Sequence, residues 1–190
     1  MQQTMTANQL QGRAIGALFF TGFGSLWLLL ALAARQQLTV AHAAPLAACA
    51  LLLTLASLGL KRMGARFPRV ADDPAMGRAF GWINAVQWIA VFAVAFGFSR
   101  MHWDAYTPSA ITAIVGLHMF PLARLFRYPL HNLTGIVLTA WAIASLYVAP
   151  SGALQSTTAL GTGALLWTSA ALTLALGFRV VAGSKRALAV

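Results

Sequence analysis

The sequence predicts an all-α, polytopic membrane protein with six transmembrane helices, and three observations carry that prediction. Hydrophobic residues fill 59% of the 190 positions and charged residues only 8%, against roughly 25% charged in soluble domains. The charges sit at the ends of long apolar tracts, each near the ~20 residues that cross hydrocarbon. Once those tracts are laid antiparallel, the basic residues fall almost entirely on one side.

In chain order the spans are expected at about 13–34, 40–60, 79–99, 107–126, 131–149 and 157–181, a single transmembrane domain over 1–190. Residues 1–11 are polar and expected to fray or lie on the membrane surface. The first apolar run is longer than the roughly 7–15-residue core of a signal peptide, so it reads as a retained span. Pro45 near the outer end of span two places the ordered start of that helix near Ala43 or Ala44. Asp73-Pro74 reads as a turn or cap before span three, with Asp72 beside it. Thr107-Pro108 offers an N-cap and a first-turn proline for span four. Pro150-Ser151-Gly152 splits the last uncharged tract into spans five and six. Thr158, Thr162, Ser169 and Thr173 share one face of span six.

Span one opens Gly12-Arg13-Ala14-Ile15-Gly16 and span three opens Gly77-Arg78-Ala79-Phe80-Gly81. This echo suggests three tandem helical hairpins in one orientation, about 12–66, 77–127 and 130–186. The two Gly-x-x-x-Gly steps admit close packing within the bundle or a self-dimerisation face, and hence a homo-oligomer.

A net charge of +10 raises nucleic acid as a partner. The distribution argues against it, since no basic stretch is interleaved with aromatics. Arg35 and Arg100 fall on one side, while Arg13, Lys61, Arg62, Arg66, Arg69, Arg78, Arg124, Arg127, Arg179, Lys185 and Arg186 fall on the other. That asymmetry predicts both termini in the cytoplasm and a basic face suited to anionic lipids of the bilayer. Richness in alanine, and in arginine over lysine, suits the inner membrane of a bacterium. The lone Cys49 permits no internal disulfide and reads as a small buried apolar residue.

Ionisable side chains at membrane depth are functional-site hypotheses by default. His118 is one, three residues before Pro121. Proline has no N–H, so the Leu117 carbonyl loses its helical partner and a kink is expected. Span three carries Asn84 and Gln87 on one face. Counted from the basic ends, Gln87 and His118 both lie roughly 10–13 Å deep at 1.5 Å per residue. Spans three and four form a hairpin, so Asn84, Gln87, His118, the Leu117 carbonyl and Pro121 are expected in one polar cluster. In the bland version an amide bonds the carbonyl or the imidazole and fixes helix register; in the sharper one the cluster handles a small polar solute or a proton. His42 and His102 lie toward the outer side and His131 near the inner interface, so no second histidine is expected at the depth of His118. That leaves no pair for haem, and no thiol pair or carboxylate in a span to hold a metal. No cofactor is expected. No phosphate loop, His-Glu-x-x-His, Gly-x-Ser-x-Gly or Cys-x-x-Cys is present, and the chain is not expected to be an enzyme.

The run Val115-Gly116-Leu117-His118-Met119-Phe120-Pro121-Leu122-Ala123-Arg124-Leu125-Phe126, followed by Pro129 and Thr134-Gly135, resembles a group of small uncharacterised bacterial integral membrane proteins with a Gly-Leu-His-Phe-Leu-Pro-Leu-Ala motif. Met119-Phe120 stands where that group carries Phe-Leu. The group often has a glutamate in the preceding polar helix, where this chain has Asn84 and Gln87, and the resemblance implies no activity. The three-hairpin plan is also similar, at fold level only, to the acid-resistance membrane proteins of enteric bacteria.

Two functional readings follow. One is a small-solute transporter or permeation protein centred on His118. The other is a non-catalytic membrane scaffold or stress-response protein in which the cluster only locks helices. A water-reachable cavity touching His118 would favour the first, and a dry, close-packed cluster the second.

Overall fold

The computed structural model describes residues 6–71 and 73–187. It is all-helical: α1 (Ala7–Ala34), α2 (Val40–Gly64), α3 (Pro74–Arg100), α4 (Thr107–Leu125), α5 (Leu130–Val148) and α6 (Leu154–Ala187), with one 3-10 turn, Asp104–Tyr106. Each of the six is long and apolar enough to span a membrane. The chain is a multi-pass membrane protein.

Local chemistry sets the helix ends. Thr6 and Gln9 form a reciprocal capping box, and Asn8 bonds Val70 in both directions across the α2–α3 connection. The segment from Ala7 to Gln11 is therefore ordered helix, not frayed surface chain. Asp73 caps α3 as expected, accepting from Ala75 N at 2.8 Å. Asp72 lies outside the described residues. Thr107 does not cap α4: the 3-10 turn runs straight into it, and Pro108 falls in a first turn with no side-chain cap. α2 starts at Val40, earlier than the expected Ala43 or Ala44, so Pro45 sits inside it as the sixth residue, past the first turn, and leaves the Ala41 carbonyl without its helical N–H.

Three helices end alike. Gln36, His102 and Arg127 take left-handed backbone at φ 55, 58 and 49. The next residue bonds back in each case, Gln37 N to Leu32 O, Trp103 N to Phe98 O and Tyr128 N to Ala123 O. This is the Schellman closure, made without glycine.

Helices in lipid gain little from apolar burial against one another and associate through close packing and hydrogen bonds. Sequential helices pair within each expected hairpin, yet the most extensive interfaces are α1–α6 and α4–α5, which cross hairpin boundaries. Each has a glycine–glycine crossing. A Cβ on Gly163 would stand 2.8 Å from Gly24 O, and one on Gly135 would stand 2.7 Å from Gly116 O. Gly12, Gly16, Gly77 and Gly81 have nothing within 4 Å of such a Cβ, so the glycines of the two entry motifs make no close helix crossing in the bundle. α6 is central, touching α1, α2, α4 and α5, whereas the backbone of α3 packs on α4 alone among the six, its Trp88 ring meets Phe23 of α1 at 6.3 Å between centroids, and it buries no residue. Cys49 is exposed on α2, contrary to the buried expectation, because α2 covers little of its outer half.

Candidate functional site

Polar side chains inside this bundle form a seam of hydroxyls along α4, α5 and α6. At one end Ser109 stands 3.2 Å from Ser145 and 3.1 Å from Thr158. Next, Thr112 meets Thr162 at 2.8 Å. Thr162 donates to Thr158 O of its own helix, which leaves Thr112 as the donor of that pair. Near the basic end Thr134 meets Ser169 at 3.0 Å. The indole N–H of Trp141 adds a bond to Thr158 O, and that of Trp167 ties α6 to Thr21 O of α1. The shared face of α6 is thus as expected, with Thr158, Thr162, Ser169 and Thr173 all buried. Its partners on α4 and α5 were not read from the sequence. Their signal was present, since Ser109 and Thr112 are one turn apart and Thr134 and Ser145 are three turns apart.

His118 is buried, 9% exposed. Its ring lies beside the Ile83 main chain of α3, so α3 does supply its neighbour, but through backbone. Asn84 donates instead to Phe80 O on its own helix at 2.8 Å. Gln87 is half-buried. Among the described residues neither amide bonds the imidazole, so the expected amide–histidine link is not made. A span's own carbonyl, one turn back, is the nearer acceptor for a short side chain. Pro121 is exposed, as is the side chain of Leu117, and α4 runs through to Leu125. Both turn away from the bundle.

His131, read from the sequence as lying near the inner interface, is also buried, 9% exposed. The Schellman turn after α4 places Tyr128 under the start of α5, and His131 follows one turn later. The His131 ring is edged by Tyr128 at 5.1 Å, Phe20 at 5.8 Å and Phe126 at 6.4 Å between centroids. The Arg13 guanidinium lies over the Tyr128 ring, 4.5 Å from its centre, a cation–π contact at the basic end.

Two grooves lie on the lipid-facing surface. One, about 440 Å³, is lined by Ile15, Leu18, Phe19, Gly22, Phe23 and Leu26 of α1. The other, about 530 Å³, lies between the far ends of α1, α3, α4 and α6 and includes Trp27, Ile111, Asp104 and Gln155. Neither touches His118 or His131. Among the described residues no group of three or more His, Cys, Asp or Glu could hold a metal ion. No family model, curated protein or solved structure matches the chain.

Proposed function

We propose that this protein is a non-catalytic membrane scaffold whose polar interior fixes helix packing and does not conduct. The observation that supports this best is the pairing of seven interior hydroxyls: Ser109, Thr112, Thr134, Ser145, Thr158, Thr162 and Ser169 bond across α4, α5 and α6, while the Thr139 and Thr173 hydroxyls are buried without a partner among the described residues. A permeation path needs polar groups that face a lumen, and these seven face one another. Such a scaffold acts through surfaces it offers in the bilayer plane, and α3 leaves most of itself uncovered.

Orientation follows from charge. Arg13, Lys61, Arg62, Arg66, Arg69, Arg78, Arg124, Arg127 and Arg179 gather at one end of the bundle, and the side chains of Lys185 and Arg186 lie outside those described. We place that end in the cytoplasm of a bacterial cell, against anionic headgroups.

A transport reading keeps one specific support, the two buried histidines His118 and His131 near the basic end. Purified protein in liposomes separates the two. The scaffold reading expects no flux of protons or small polar solutes above empty vesicles, and lower thermal stability in both His118→Ala and His118→Gln. Flux that disappears in His118→Gln while thermal stability is unchanged would replace this reading with transport.

A further inference from the structure

Two buried polar atoms around the start of α5 have no hydrogen-bond partner among the described residues: the Tyr128 hydroxyl and His131 Nδ1. Tyr128 is 7% and His131 9% exposed, and their rings stand perpendicular with centroids 5.1 Å apart. An unmet buried donor or acceptor costs about as much as a lost hydrogen bond, so native proteins pair such groups or bridge them with ordered water. Here both unmet atoms belong to one ring pair, at the end of the bundle where Arg13 lies over Tyr128. Phe20 and Phe126 close the His131 ring with edges and offer nothing polar. Neither surface groove reaches the place.

We propose that Tyr128 and His131 form a built site for a single bound water, which bridges the phenol and Nδ1. The phenol donates to the water or accepts from it, and the imidazole takes the complementary role according to its tautomer. The inference is independent of whether the protein conducts.

The test uses the sign of a stability change. A hydroxyl with no partner is a liability, and Tyr128→Phe would then leave the midpoint of thermal unfolding unchanged or raise it. A hydroxyl that holds a water is an asset, and the midpoint should fall by about 2–4 °C, the shift expected for a typical hydrogen bond in a chain of this size. His131→Leu should also lower it, and the double variant should fall by less than the sum, because one water serves both groups. Solid-state NMR of the wild-type protein in lipid gives the direct reading, expected as a water-to-imidazole proton cross-peak at His131. An unchanged or raised midpoint in Tyr128→Phe, strict additivity of the two variants, or absence of that cross-peak would each overturn the site.

Discussion

Gly116 and Gly135 bring the backbones of α4 and α5 together where no side chain fits between them. A Cβ on Gly116 would crowd the Thr139 hydroxyl and stand 2.8 Å from Thr139 N. Gly116→Ala should therefore cost about 1–3 kcal/mol, the range for overpacking, read as a lower unfolding midpoint in detergent. Gly81→Ala, with open space around it, should be neutral or stabilising, since alanine favours helix by about 1 kcal/mol. The Thr112–Thr162 bond is worth about 0.6 kcal/mol by the average for interhelical bonds in membranes. Thr162→Val should cost about that much, and adding Thr112→Val should cost little more, because the second hydroxyl no longer has a partner to lose. Equal, additive losses would show that the pair is not coupled. At this scale the sequence was only partly legible. It marked His118 and the α6 hydroxyls, because an imidazole and a polar face stand out in an apolar run. It concealed His131, whose distance from a charged end measured depth along its own helix and not nearness to a ring on another.

The helices themselves were easier to read, since uncharged length and a charge at each end are one-dimensional properties. The errors lie at the ends. Ala7–Gln11 looked polar enough to fray, yet the Thr6–Gln9 box and the Asn8–Val70 bonds secure it. Left-handed closures at Gln36, His102 and Arg127 leave no glycine in the sequence to announce them. The element that matters most for behaviour is α3, whose backbone packs on α4 alone, with one ring contact from Trp88 to Phe23 of α1. Local opening follows sparse contact, so amides of α3 should exchange with deuterium faster than those of α6 when both are measured in the same nanodisc. Equal protection would mean that something covers α3 besides α4. Its start depends on Asp73, and Asp73→Ala should cost about 1 kcal/mol, seen first as faster exchange over Ala75 to Arg78.

At the scale of the whole molecule, six crossings and their alternation were legible, whereas the packing order was not. The echo between Gly12–Gly16 and Gly77–Gly81 suggested hairpins as the units of packing. The structure instead gives its tightest crossings to Gly24 with Gly163 and Gly116 with Gly135, because partner choice depends on which small residues face each other in three dimensions. These crossings draw α1 to α6 and α4 to α5, and the hydroxyl seam closes where α4, α5 and α6 meet. The central claim is that this seam is packed and carries no water path. It is tested most directly by placing a thiol in it, as Ser145→Cys on a Cys49→Ala background, and following reaction with a membrane-impermeant methanethiosulfonate reagent in intact proteoliposomes. The account predicts no labelling until the protein is unfolded, since Ser145 is 0% exposed. Rapid labelling of the folded protein would contradict it and point to a water-filled route through the bundle.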